Sequence, residues 1–201
     1  MAARIASVGR VTVSERRSIR SGTRSSSQQT RRQTDHVEVL PDIVGPEPRI
    51  VFCGMASVLS TKLRDHYYET PGNNFWEMLH QSGLTDRRLG PEDDGSVPEL
   101  GLGLTDLVHT GASTYALDEL TAKVRSWEPE WVAFTSKTTA YAVARSLGER
   151  RPGLGPASWE LAGTAVFVLP GTSGANRRHD YDGRVGRLPW WRDLAMLATP
   201  S

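Results

Sequence analysis

Two short segments of this sequence carry side chains suited to chemistry on a charged polymer. Gly171–Arg177 combines small residues with a terminal arginine, so its backbone can approach a polymer closely while the guanidinium binds a phosphate. Thr105 and Asp106 end an apolar stretch, where a carboxylate needs a partner or a chemical task. A plain surface turn and a helix cap are the structural alternatives for these two segments.

A third candidate segment follows the first apolar run. The turn expected at Gly54–Ser60 has mostly small residues, which can place backbone N–H groups against a ligand. Residues 67–76 then supply four aromatic side chains and two asparagines. Aromatic residues before a helix usually belong to the core, whereas an exposed ring there can stack on a nucleobase. The residues themselves leave both uses open.

The elements that must position these segments alternate along the chain. Apolar runs predict strands at 49–55, 101–108, 131–135 and 165–169. Helical spacing and end signals predict helices at 75–83, 117–127, 138–147 and 189–198. Asn74 and Glu77 have capping-box spacing, and Gly83 suits the position after a helix end.

Strands separated by helices favour parallel pairing with right-handed crossovers. The predicted fold class is therefore α/β, a three-layer α/β/α domain with a central, mostly parallel four-stranded sheet. Ligands of such folds bind outside the carboxyl ends of the strands. Four segments should then meet in one crevice: 54–60, 105–106, 136–137 and 171–177.

Composition divides the chain into two parts. Residues 7–32 are rich in Arg, Ser, Thr and Gln without apolar periodicity, which predicts disorder. We place a disordered Arg/Ser-rich tail at 1–45 and one domain at 46–201. Residues 1–40 carry a net charge of about +5 within a total of +1, so the remaining 161 residues carry about −4. A basic tail either adds salt-sensitive affinity for nucleic acid or is simply solvated.

Several protein classes are disfavoured. The apolar runs are too short to span a bilayer, and the N-terminus lacks the apolar region of a secretory signal. The single cysteine, Cys53, excludes an internal disulfide and a cysteine-rich zinc site. We expect a cytoplasmic protein, nucleoid-associated if bacterial, with no metal site and no cofactor.

The order of the polar segments resembles the mismatch-specific uracil/thymine-DNA glycosylases, within the wider uracil-DNA glycosylase superfamily. Counterparts of six family motifs occur in order and at near-constant spacing over about residues 49–180. They are Gly54–Ser60, Thr70–Trp76, Gly83–Thr85, Gly103–Val108, Ser136–Lys137 and Gly171–Arg177.

The resemblance implies a monofunctional DNA-repair enzyme that flips uracil out of DNA, hydrolyses its N-glycosidic bond and leaves an abasic site. The implied partner is uracil-containing DNA, single- or double-stranded, with no membrane, and we expect a monomer. Tyr68 would stack on the flipped base, and Arg177 would hold the strand. The space left by the base would be filled by Gly174, Ala175 and Asn176. Ala175 replaces a larger apolar wedge, which favours single strands or weakly paired sites.

Two positions depart from the family pattern. Ala56 stands where the family positions water with a carboxylate or Asn, and Gly171 stands where the superfamily has His or Asn. We therefore expect Asp106 to act as the catalytic carboxylate, orienting water and stabilising an oxocarbenium-like sugar. Ser57 is the second catalytic candidate, as a hydrogen-bond donor to the uracil carbonyls or to phosphate. The residues expected to contact the base are Met55, Ala56, Tyr68, Asn74, Ser136, Lys137, Gly171 and Ser173.

Three alternatives stay open. The domain could bind nucleic acid without cleaving it, because the usual water-activating residue is missing. It could act on another deaminated base such as hypoxanthine, since Ala56 and Gly171 enlarge the pocket. It could also be a hydrolase or transferase of small nucleotides that uses the same crevice.

Overall fold

The apolar runs form the middle of a single sheet, since strands that are hydrophobic on both faces need cover from helices. The computed structural model describes residues 39–58, 60, 64–111 and 114–199. The strands are β1 Ile50–Ser57, β2 Leu102–Gly111, β3 Thr114–Tyr115, β4 Trp131–Phe134, β5 Gly155–Leu161, β6 Thr164–Val168, β7 Asp180–Tyr181 and β8 Arg184–Val185. The helices are α1 Phe75–Gln81, α2 Leu117–Trp127, α3 Lys137–Leu147 and α4 Leu188–Leu197, with a 3-10 helix at Pro91–Leu100.

The strand order of the main sheet is β3-β2-β1-β4-β6-β5. The four predicted strands are its parallel centre, β2-β1-β4-β6, which confirms the α/β fold class. The sheet nevertheless has six strands rather than four, because β3 and β5 add antiparallel edges. The edge strand β5 exposes alternate residues and begins with Gly-Pro, so it lacks the continuous apolar run of the central strands.

Helices cover both faces of the sheet, which produces the three predicted layers. On one face Phe52 packs edge-on against Phe75 of α1, with centroids 5.3 Å apart, and stacks on Trp191 of α4 at 5.6 Å. On the other face, Leu120 of α2 and Val143 of α3 belong to a second buried cluster. None of the helices in the described ranges is long and apolar enough to cross a membrane.

The first strand is longer than predicted, which corrects the turn expected at Gly54–Ser60. Residues 54–57 pair with 106–109 of β2, so four of the predicted turn residues lie in the strand. The apolar side chains of Met55 and Ala56 continue the strand pattern, and this explains the extension. The predicted crevice therefore begins beside a rigid strand end.

The ends of α1 correct one prediction and agree with another. Asn74 makes no capping bond with its side chain. Asn73 instead accepts a hydrogen bond from the Phe75 N–H at 3.0 Å. Gly83 has φ +84°, and the N–H groups of Gly83 and Leu84 return to carbonyls of the last turn. This is the glycine-terminated helix end predicted at that position.

The described chain begins with a segment that contacts β2. The N–H and C=O groups of Ile43 bond with those of Leu104 at 2.9 and 2.8 Å. The Thr105 hydroxyl donates to Asp42 at 2.6 Å. Residues 39–45, assigned to the tail from composition, thus include backbone that pairs with the sheet. The disorder predicted within residues 1–38 falls outside the described residues.

Candidate active site

A cavity of about 220 Å³ lies at the carboxyl ends of the central strands. Strand ends supply one wall, and the loops before α1 and after β6 supply the others. Six of the residues predicted to act on the base line it: Met55, Tyr68, Asp106, Ser136, Gly171 and Ser173. The loops that leave the parallel strands therefore share one cleft, as the topology requires.

Asp106 is a buried carboxylate in this cavity. Its side chain is 4% exposed, and its Oδ2 has no hydrogen-bond partner among the described residues. The Arg64 guanidinium lies close to it, with Nη2 4.0 Å from Oδ2. Burial raises the pKa of Asp106 to about 7, while Arg64 acts in the opposite direction. Near neutral pH this carboxyl exchanges protons readily, as a general base requires.

Gly54 of β1 makes room for this carboxylate. Gly54 and Asp106 are neighbours across the β1–β2 pair. A Cβ at position 54 would lie 2.4 Å from Asp106 Oδ1 and 3.1 Å from the Tyr68 hydroxyl oxygen. Only glycine lets the strand, the carboxylate and the phenol approach this closely.

Tyr68 forms an aromatic platform at the cavity. Its backbone has φ +56°, an uncommon conformation for a bulky residue. One face of the ring stacks on Phe75, with centroids 3.7 Å apart and planes 11° apart. The hydroxyl donates to Thr135 Oγ1 at 3.2 Å, and Thr135 Oγ1 donates to the Cys53 carbonyl at 3.3 Å. The ring is thus fixed from one side and at its tip.

The loop after β6 is held by an arginine that sequence reasoning missed. Arg187 Nε donates to the Gly171 carbonyl at 2.8 Å, and Nη2 donates to the carbonyls of Asn176 and Ser173. The Asn176 amide also donates to the Gly171 carbonyl, at 3.2 Å. Arg187 lies over the Tyr181 ring at 5.3 Å. Asn176, predicted to contact DNA, therefore helps to close its own loop.

Replacing Arg187 by alanine should loosen this loop. Its guanidinium bonds to three carbonyls, and we expect a loss of about 2 kcal/mol in the free energy of unfolding. Chemical denaturation measures the loss, and limited proteolysis should detect new cleavage within 171–178. Arg192→Ala, on α4, is the matched control. Equal stability and equal protease resistance of the two variants would contradict this role.

The loops on either side of the cavity contact each other through glycines. A Cβ at Gly174 would lie 2.5 Å from the Gly72 carbonyl oxygen. The Asn74 N–H donates to the Thr172 carbonyl at 2.9 Å, and the Asn74 amide donates to Gly72 O and Thr172 O at 3.2 and 3.4 Å. Asn74, predicted to contact the base, thus joins the two loops. The tip at 173–175 stays exposed.

Ser136 and Lys137 make structural contacts at the start of α3. The Ser136 hydroxyl oxygen accepts the Thr139 N–H at 3.1 Å and so caps the helix. Lys137 Nζ donates to both carboxylate oxygens of Asp182, at 2.9 and 2.8 Å, which lowers the pKa of that carboxyl. Lys137 lines a neighbouring cavity of about 330 Å³ instead of the one that holds Asp106.

A larger cavity of about 820 Å³ adjoins the first. The two share Met55, Arg64 and Thr70 as lining residues. Ser57, the second catalytic candidate, lines this larger cavity and not the one with Asp106. Ala56 also lines it, but its side chain is almost fully covered, with 2% exposure.

Four contributors to the site escaped sequence reasoning. Gly54 lies where a predicted strand and turn overlap, Thr135 ends a predicted strand, and Arg64 and Arg187 lie outside every predicted motif. Each acts through a contact with a residue distant in sequence, which local patterns do not reveal. Within the described ranges no three His, Cys, Asp or Glu side chains are grouped so that they could hold a metal ion.

The fold and site define an α/β protein with a buried carboxylate and an aromatic platform in one cleft. The family model of the Uracil DNA glycosylase superfamily matches residues 41–195, so the chain belongs to that superfamily. Membership makes it a DNA glycosylase, a hydrolase of base excision repair that acts on DNA.

A solved structure is also similar to this chain. It is the solution NMR structure of a protein from Methanosarcina acetivorans, described as a candidate uracil DNA glycosylase. The two sequences are 19% identical, and the match covers 79% of this chain and 98% of that chain with a TM-score of 0.49.

Proposed function

We propose that this protein is a monofunctional uracil-DNA glycosylase that flips uracil into the Asp106 cavity and hydrolyses its N-glycosidic bond. The observation that carries the proposal is the buried Asp106 carboxylate, which lines the same cleft as the Tyr68 ring and whose Oδ2 has no hydrogen-bond partner among the described residues. The order of motifs favours the mismatch-specific branch of the superfamily. Ala56 then differs from the usual water-positioning residue, and Asp106 supplies the carboxylate from the neighbouring strand.

The proposed reaction needs one proton acceptor, and its steps involve no metal ion. The C1′–N1 bond breaks with its electron pair moving to the uracil, and the sugar becomes oxocarbenium-like. A water oxygen then bonds to C1′, and its proton passes to the Asp106 carboxylate. The ionised carboxylate also stabilises the developing positive charge on the sugar. The excision rate should rise with pH through the Asp106 pKa of about 7, because only the ionised form accepts this proton.

Backbone groups of β1 can stabilise the departing uracil anion. The Val58 N–H donates to His109 O of β2, whereas the Cys53 carbonyl accepts from Thr135 N after β4. The backbone N–H and C=O groups of alternate β1 residues therefore point to opposite neighbouring strands, and those of Met55 point to the β4 side. Since β4 ends at Phe134 and Met55 lines the cavity, we infer that the Met55 N–H can donate to the departing base.

The exposed loop after β6 fits a contact with the DNA strand. Its tip, 173–175, is small and exposed, and Arg177 follows it at the surface. We infer that the tip enters the space left by the flipped base and that Arg177 binds a phosphate. The opposite face of Tyr68 from Phe75 is then the surface on which the uracil stacks.

Arg177→Ala should weaken DNA binding to a similar extent for all sequences. Loss of one phosphate contact lowers the slope of log K against log salt by about one. Fluorescence anisotropy from low to moderate salt measures this slope, with exposed Arg125→Ala of α2 as the control. A loss that depends on sequence, or an unchanged slope, would rule out the phosphate contact.

Glycosylase assays on defined oligonucleotides test the proposed function. Uracil release with alkali-sensitive abasic sites, from single strands and from U·G and U·A duplexes, is the expected result. Preferred release of hypoxanthine would identify a purine-directed enzyme, an outcome for which the adjoining 820 Å³ cavity leaves space. Binding to abasic DNA without any base release would identify a binding module. Base release from free nucleotides alone would identify a nucleotide hydrolase.

A further inference from the structure

Arg64 lies at the junction of the two cavities. It lines both, and its side chain is 25% exposed, whereas the Asp106 side chain is almost fully buried. The guanidinium stands 4.0 Å from Asp106 Oδ2, the oxygen without a hydrogen-bond partner among the described residues. Oδ2 is itself buried, so Arg64 is a cation that faces this oxygen from the more exposed side, at a distance that suits a weak ion pair.

Two other charged groups act on the pKa of Asp106 in opposite directions. Asp42, in the segment before β1, disfavours the ionised carboxylate, and Lys123 of α2 favours it. These two groups pair with each other at 3.1 Å, and Lys123 also pairs with Glu119 at 2.7 Å. Among the described residues, three further titratable groups interact with Asp106 and stay neutral because burial raises the pKa of each: Cys53, Tyr67 and Tyr68.

We propose that Arg64 is a positioning residue for base excision, which holds the Asp106 carboxylate ionised and in place at the wall of the cavity. This inference rests on the proposed function, in which Asp106 accepts the proton of the attacking water. Arg64 is suited to the task because it approaches from the side open to solvent, so that it need not be buried itself. It would act through Asp106, without touching the base.

The role has a defined consequence for pH dependence. Burial raises the pKa of Asp106 and the guanidinium opposes that rise, so removing Arg64 raises the pKa further. Activity requires the ionised form. The midpoint of the rate-against-pH curve therefore moves to higher pH when the cation is lost, and the rate recovers under alkaline conditions. A residue with a merely structural role would lower the rate at every pH instead.

The experiment compares Arg64→Gln and Arg64→Lys with the unaltered protein in single-turnover excision of uracil between pH 5 and pH 10. We expect the midpoint of R64Q to rise by about one to two pH units. At pH values below the midpoints of both proteins, the excision rate of R64Q should therefore be about ten- to a hundredfold lower than that of the unaltered protein. R64K should keep its midpoint close to that of the unaltered protein. An R64Q rate that is reduced uniformly, with an unshifted midpoint, would overturn the inference.

A second measurement tests the effect of Arg64 on the pKa of Asp106 without relying on activity. The ¹³C chemical shift of the Asp106 carboxyl, followed by NMR against pH, should report a higher midpoint in R64Q than in the unaltered protein. Equal midpoints would overturn the role of Arg64 whatever the kinetics show. Asp106→Asn distinguishes the catalytic role proposed for Asp106 from the positioning role proposed for Arg64. If D106N excises uracil at the unaltered rate, the proposed role of Asp106 fails even when the NMR midpoint shifts.

Discussion

Asp106→Asn is expected to lower the single-turnover rate of uracil excision by about two to four orders of magnitude. The amide has the shape of the carboxylate but accepts no proton from water, and it gives little stabilisation to a positively charged sugar. Rapid-quench assays with enzyme in excess measure the chemical step. The Kd for the same oligonucleotide, measured by anisotropy, should stay close to that of the unaltered protein.

The matched control is Asp86→Asn, which makes the same chemical change at an exposed position after α1. Its excision rate should be unchanged. Rapid excision by D106N would remove Asp106 from the reaction and return Ser57 to consideration. A loss of binding that parallels the loss of rate would instead indicate that Asp106 holds the substrate.

The same substitution should make the fold more stable at neutral and alkaline pH. The folded-state pKa of about 7 lies above the ordinary value of 3.8, so the native state holds its proton more tightly than the unfolded chain. The stability associated with the protonated form is full below pH 3.8 and is lost as pH rises through 7. D106N does not undergo this loss, so its free energy of unfolding at alkaline pH should exceed that of the unaltered protein by at most about 4 kcal/mol. Thermal unfolding of both proteins at pH 5 and pH 8 checks the sign.

This combination of effects is typical of a functional carboxylate. A buried charge with an unpartnered oxygen weakens the fold, and it persists where chemistry requires it. The sequence already indicated Asp106, because a carboxylate stands out at the end of an apolar strand. The pattern around it also predicted the parallel centre of the sheet. Burial on both faces produces continuous apolar runs, which are the clearest strand signal.

The parts that escaped prediction depend on weaker or more distant signals. The edge strand β5 alternates between exposed and buried residues, and β3 has only two residues. The hairpin of β7 and β8 had a readable signal, Asp182-Gly183, whose two positive φ angles form a tight turn. Arg187 and Arg64 are recognisable only after folding, because their partners lie 16 and 42 positions away.

Gly54→Ala should reduce both activity and stability, because the added methyl group occupies the place of the Asp106 carboxylate. Its carbon would lie 2.4 Å from Oδ1, and both strands are fixed by their pairing, so the carboxylate must move. We expect a loss of about 1 to 3 kcal/mol in the free energy of unfolding. The excision rate should fall at least about tenfold, because a displacement of about 1 Å is costly in catalysis. Gly95→Ala, where an added carbon meets nothing within 4 Å, should have little effect on either property.

A double-mutant cycle shows whether the carboxylate is the cause. Asp106→Ala removes the atoms that the new methyl group would meet, so G54A should destabilise the D106A protein less than the unaltered one. The expected coupling is about 1 kcal/mol or more, measured by chemical denaturation of the four proteins. Additive losses would mean that the methyl group acts through the Tyr68 hydroxyl, 3.1 Å from the same position. A large coupling would show that glycine at position 54 is required because a buried carboxylate occupies the space beside it.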